Sequence, residues 1–146
     1  MIHIESTKDV NASPDAVWAF ISDPSTWSQW MTIYDQFVEE PPAALSQGTT
    51  MVARVKAFGM SNNVEMTIDS IDAPNTLKLN VAGGAGAAGT ADFVFEVQPT
   101  ADGSTITMSF EVKGVASRGP MGKTVEAVAI DQTNQTLAQL VDIVLA

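Results

Sequence analysis

Apolar and polar positions divide this chain into a long alternating middle and a helical end. Ile2, Ile4 and Val10 share one parity, which predicts a half-buried strand over residues 2–10. Ser13-Pro14-Asp15 then opens a helix, with a serine N-cap and a proline at the first helical position, where no backbone N–H is needed. Val17, Trp18, Phe20 and Ile21 give that helix its apolar face. Asp23-Pro24 ends it, because proline disfavours helical geometry in the residue before it. Ser25 to Trp30 predicts a second short helix or turn.

The middle is alternating strand pattern. Residues 33–40 predict a strand that stops at Pro41-Pro42. Met51, Ala53, Val55 and Ala57 alternate with Val52, Arg54 and Lys56, and Gly59 to Asn63 is the turn. Val64, Met66 and Ile68 alternate with Glu65, Thr67 and Asp69, and Asp72-Ala73-Pro74-Asn75 is the next turn. Leu77, Leu79 and Val81 continue the pattern, as do Ala91, Phe93, Phe95 and Val97, then Ile106, Met108, Phe110 and Val112 after the turn Ala101 to Ser104. Strands that follow one another through short turns, without helices between them, imply an antiparallel sheet rather than βαβ units. The alternation gives that sheet one buried and one wet face.

From Pro120 to Ala146 the period changes. Val125, Val128, Ala129, Gln132, Leu137, Leu140, Val141 and Val144 recur at helical spacing. Such a helix runs about 40 Å. It is the one element large enough to cover the sheet's apolar face, so the fold class is α+β. No repeat of solenoid period interrupts the chain, and 146 residues favour one domain over 1–146.

Composition narrows the function classes. An apolar fraction of 45% fits a folded globular chain rather than a disordered one. The absence of cysteine excludes disulfides, thiolate metal sites and cysteine nucleophiles, and agrees with a reducing, cytoplasmic location. No basic, apolar leader pattern opens the sequence and no apolar run is long enough for a bilayer, so neither secretion nor stable membrane insertion is expected. A formal net charge of -10, spread along the chain, repels phosphate backbones and anionic lipids and argues against nucleic-acid binding.

Ala12-Ser13-Pro14-Asp15-Ala16-Val17-Trp18, continuing through Ile21, Asp23-Pro24, Trp27 and Trp30, resembles the START-like (SRPBCC) superfamily, in particular its bacterial polyketide cyclase/dehydrase and lipid-transport group. The order of elements matches over nearly the whole chain. The resemblance implies a helix-grip fold: a curved antiparallel sheet of about seven strands wrapped on the long C-terminal helix, with two short helices after the first strand. It also implies a cavity between sheet and helix for a small hydrophobic molecule such as a lipid or polyketide. The sequence is similar as well to an actinobacterial subgroup described as the toxin half of a toxin–antitoxin pair.

By parity, Met51, Val55, Met66, Phe93, Phe95, Met108 and Phe110 face the helix, and Met31 and Met121 are placed to close the ends. Flexible, polarizable methionines suit a surface that adapts to apolar guests, and Ala53, Ala57 and Ala91 leave volume between the larger side chains. An ordinary packed core would use the same residue types. Trp27 and Trp30 either divide between core and cavity mouth or both anchor the short helices, and each indole N–H needs a partner. With Val125 and Gln132 of the helix, the candidate ligand-binding set is Trp27, Trp30, Met31, Met51, Val55, Met66, Phe93, Phe95, Met108, Phe110, Met121, Val125 and Gln132. Gln132 is the polar residue on the helix's apolar face, able to orient a ligand carbonyl or to bond backbone. Trp30 and Tyr34 could help it orient a ligand.

Other chemistry finds little material. Gly84 to Gly89 satisfies G-x-G-x-x-G, but a strand pattern follows where a dinucleotide site needs a helix. A hairpin tip or bulged edge at the cavity entrance fits better. Gly122-Lys123-Thr124 resembles the end of a P-loop, yet Ser117 stands where its first glycine belongs. His3 is the sole histidine, which leaves nothing for a triad or a histidine metal site. Glu65, Asp69, Asp92, Glu96 and Arg54 have outward parity, so the cavity is poor in groups for acid–base work. The expectation is therefore a binder or carrier with no catalytic residue, metal or cofactor. A cyclase or dehydratase is the alternative, and a toxin or regulatory partner is a third reading. The sequence also admits a homodimer or a protein partner.

Overall fold

In the computed structural model, the alternating segments pair into one antiparallel sheet of seven strands in the order β1-β7-β6-β5-β4-β3-β2. The structure describes residues 2–32, 34–42, 44–57, 60–83, 90–113 and 119–146, apart from the side chains of Ala57, Met60, Asn62, Met121 and Val125. The strands are β1 (Ile2–Val10), β2 (Tyr34–Phe37), β3 (Thr50–Ala57), β4 (Met60–Asp72), β5 (Thr76–Gly83), β6 (Thr90–Pro99) and β7 (Ser104–Lys113). Helices α1 (Pro14–Ile21) and α2 (Trp27–Trp30) follow β1, joined by a 3-10 turn at Pro24–Thr26, and α3 (Gly119–Leu145) ends the chain.

The turn expected over Gly59 to Asn63 is shorter, since β4 already begins at Met60, which pairs with Ala57; other predicted starts and stops rest on visible bonds. Ser13 Oγ accepts the Ala16 N–H at 3.2 Å, capping α1. Asp23 Oδ1 accepts the Ser25 N–H at 3.1 Å, which turns the chain into the second helical segment. The β6–β7 turn needs its glycine: a Cβ on Gly103 would stand 2.3 Å from the Val10 carbonyl oxygen and 2.7 Å from the Ala12 nitrogen. Ser104 fastens the same approach by donating from Oγ to the Ala12 carbonyl at 2.7 Å.

The strand expected over residues 33–40 is shorter. β2 spans Tyr34–Phe37, and its register against β3 shifts between Tyr34 and Gln36. Asp35 is the extra residue of that bulge, and a bulge ends clean alternation and bends the strand. A second register shift, between Ile68 and Ser70 of β4, bends the sheet again.

The inner face is a lattice of cross-strand neighbours. Met51, Met66, Val81, Ala91 and Val112 form one row across the sheet; Leu79, Phe93, Phe110 and Ile4 form the next. Leu77, Phe95 and Met108 form a third, and Val97 and Ile106 a fourth. The last two rows lie toward the β6–β7 turn and belong to a core shared with Val17, Ile21, Trp27, Trp30, Leu137 and Leu140. At the opposite end, Ala129 of α3 joins Ile2, Ile4 and Val112 in a smaller cluster. The long helix thus spans both ends of one face.

Candidate functional site

A cavity of about 120 Å³ opens on the inner face between these ends. Its wall is Met31, Val55, Met66, Leu79, Val81, Ala91, Phe93 and Phe110. Strand alternation aims these side chains at the helices, and register sets them side by side: Met66 faces Val81, Val81 faces Ala91, Leu79 faces Phe93, and Phe93 faces Phe110. The Phe93 and Phe110 ring centroids are 4.5 Å apart. Met31 enters from the end of α2. Val55, Val81, Ala91 and Phe110 are only half-buried, so the helices leave apolar surface uncovered here.

The candidate residues therefore separate by place. Met31, Val55, Met66, Phe93 and Phe110 line the cavity. Trp27, Trp30, Met51, Phe95 and Met108 are packed in the core, none more than 4% exposed. Both tryptophans anchor the short helices. Trp27 Nε1 donates to the Ile21 carbonyl at 3.1 Å, and Trp30 Nε1 to Thr26 Oγ1 at 3.1 Å. Trp30 also meets Phe95 edge-on with centroids 5.7 Å apart. Neither indole N–H is left to orient a guest. The side chains of Met121 and Val125 lie outside the described ones. So does the glycine-rich motif at 84–89, although its flanks Ala82 and Thr90 pair with each other one step from the cavity residues Val81 and Ala91.

Among the described residues, the Gln132 side chain meets neither backbone nor the cavity wall. It accepts a short hydrogen bond from the Thr32 hydroxyl. With that proton committed, Thr136 is the donor in the 3.1 Å contact between the two threonine hydroxyls, and the Thr32 N–H donates to Thr136 Oγ1 at 3.2 Å. This cluster ties the residue after Met31 to α3. Thr133 and Thr136 are buried on the helix, and their residue type does not reveal it, because threonine also suits an exposed helical position. Leu79, Val81 and Ala91 complete the wall. Parity put them on the right face, but only cross-strand register shows that they adjoin the void.

Among the described residues, no charged side chain is buried in the core or lines the cavity. Arg54 Nε donates to Asp35 at 2.7 Å and Lys56 lies 3.6 Å from the same carboxylate. The Arg54 hydrogen bond holds the Asp35 carboxyl below its usual range against a smaller desolvation effect, with Lys56 assisting. Tyr34, opposite Val55 at the sheet edge, has its phenol pushed up by burial; the Phe37 backbone amide offsets part of this and the Asp35 charge adds to it. Asp92 holds Asn80 at 2.8 Å and Lys113 at 3.4 Å. Among the described residues no group of acids and His3 is arranged to hold a metal ion, and no helix is long and apolar enough to cross a membrane. The wall carries no titratable side chain, so the cavity can exclude water and bind apolar surface but has no described group for proton transfer.

The sequence profile of the family described as polyketide cyclase/dehydrase and lipid transport matches residues 1–142. The chain belongs to this family. Its topology is the helix-grip fold of the START-like superfamily. Two relatives from Mycobacterium tuberculosis (strain ATCC 25618 / H37Rv) align over nearly all of it. The uncharacterized protein Rv1546 is 28% identical over 98% of this chain and 99% of its own length. The toxin Rv0910 is 27% identical over 98% of each. The crystal structure of TTHA0849 from Thermus thermophilus superposes with a TM-score of 0.75 at 15% identity, covering 99% of this chain and 97% of that one. At that identity the likeness is one of fold.

Proposed function

We propose that this chain is a single START-like domain that binds or carries a small hydrophobic molecule between its sheet and helices, in the cytoplasm, without transforming it. The observation that carries the reading is the cavity of about 120 Å³ walled by eight apolar side chains. Apolar guests gain roughly 25 cal/mol for each Å² they remove from water. Membership in a family described by lipid transport supports such a guest. A cyclase or dehydratase is less favoured, since the wall offers no acid, base or hydroxyl. The absence of cysteine suits a reducing compartment.

Native mass spectrometry of the protein purified from its own host is expected to show a species heavier than the polypeptide. Recovery of the bare mass alone counts against the proposal. Ala91→Phe projects a ring into the cavity and is expected to weaken displaceable binding of an apolar fluorescent probe by about tenfold or more, with the unfolding transition nearly unmoved. Undiminished probe binding in that variant would place the guest elsewhere.

Rv0910's name supports a second reading, in which the acidic surface engages a basic protein partner. Capture of such a partner at low salt but not at high salt would favour it.

A further inference from the structure

We infer that the guest buried in this cavity is an uncharged, single-ring compound or ring terminus rather than the anion of a fatty acid. The inference rests on the ligand-binding reading above and narrows its chemistry.

Size is the first argument. The space bounded by the described residues, about 120 Å³, falls below the 300 Å³ or so at which drug-sized sites begin, and close to the roughly 150 Å³ of an engineered cavity that takes benzene. One ring fills it, whereas an extended chain must leave much of its length outside. Shape and softness point the same way. Phe93 and Phe110 present two rings tilted at 48° to each other, and Met31 and Met66 bring flexible thioether side chains to the same wall. Aromatic faces and edges and polarizable sulfur favour a flat guest. A rigid ring also avoids the ordering cost that every torsion of a chain incurs on binding.

Charge is the second argument. A carboxylate drawn against this wall would lose its hydration with no donor to replace it, since all eight side chains are apolar. Three described cations are already engaged, Arg54 and Lys56 with Asp35 and Lys113 with Asp92, and Lys123 near the start of α3 is exposed to solvent rather than part of the wall. The net charge of -10 disfavours the approach of any anion.

The test is ligand-observed saturation-transfer NMR on the full chain at neutral pH, with acetophenone, benzoate, octan-1-ol and octanoate, and with a neutral apolar fluorescent probe read in parallel. Acetophenone is expected to bind most tightly and benzoate about tenfold or more weakly, with octanoate weaker than octan-1-ol by a similar factor. Benzoate matching acetophenone, or octan-1-ol binding more tightly than acetophenone, overturns the inference while leaving the cavity a binding site. Probe binding with no response from acetophenone overturns it as well. Failure of the probe and of all four compounds removes the ligand-binding reading itself, and this inference with it.

Discussion

The two ends of the sheet's inner face are built from the same alternating pattern and finish differently. Toward the β6–β7 turn, Phe95, Met108, Val97 and Ile106 meet two tryptophans, α1 and the second half of α3, and the space is filled. Toward the other end, Val81 and Ala91 stand where the closed end has Leu77 and Phe95 farther along the same strands, and half-buried apolar side chains border a void. Strand parity supplies both faces. What differs is side-chain volume and whether a bulky indole arrives from above. A sheet of this kind therefore holds stability toward the β6–β7 turn and a void between that end and the small Ala129 cluster, and substitutions should register the division.

The largest effect is expected at the plug. Trp30 is fully buried, bonded through its N–H and set edge-on to Phe95, so Trp30→Ala should lower unfolding free energy by about 3–5 kcal/mol, measured by urea denaturation. A loss below about 1 kcal/mol would mean that the closed end is not the stabilising one. Two methionines then sharpen the contrast. Met108 and Met66 are 3% and 2% exposed, but only Met66 borders the cavity. Met108→Ala should cost about 3–4 kcal/mol and Met66→Ala nearer 2, because one side of Met66 already lacks packing partners. Met66→Ala should also admit a larger guest; equal costs in the two variants would break the comparison.

A smaller loss is expected at the joint between the ends. Thr32→Val keeps the shape of the side chain but leaves Gln132 and Thr136 without their shared partner, and should cost about 1–2 kcal/mol in the same measurement. The smallest effect belongs to Asp35, on the outer rim. Its carboxyl is held below the ordinary value in the folded state, so its contribution is present above the unfolded-state value and disappears as pH falls through the lowered one. The difference between wild type and Asp35→Asn, followed by thermal unfolding across the acid range, should accordingly be small at neutral pH and vanish in strong acid. A difference that grows on acidification would contradict the Arg54 pairing.

The order of elements follows from the residues alone. Ser13 and Pro14 open α1, the parity of Met51 to Val112 divides the sheet faces, and the change of period after Pro120 yields α3. Strand and helix periods are local properties of the backbone, so they are written in consecutive residues. The bulge at Asp35 is less legible, since any polar residue can sit there. The wall of the cavity is less legible still. Met66 lines it while Met51 and Met108 pack in the core, though all three are inward positions of the same strand alternation. Gln132, polar on an apolar face, is bound to Thr32, a residue 100 positions away.

What this sequence determined by itself is the sheet, the helices and which faces are greasy, because alternation and capping act between near neighbours. What the tertiary structure decided is where apolar side chains fail to fill the space they enclose. A void is a difference between the volume enclosed by distant elements and the volume of the side chains they deliver, and no local stretch of residues contains both terms.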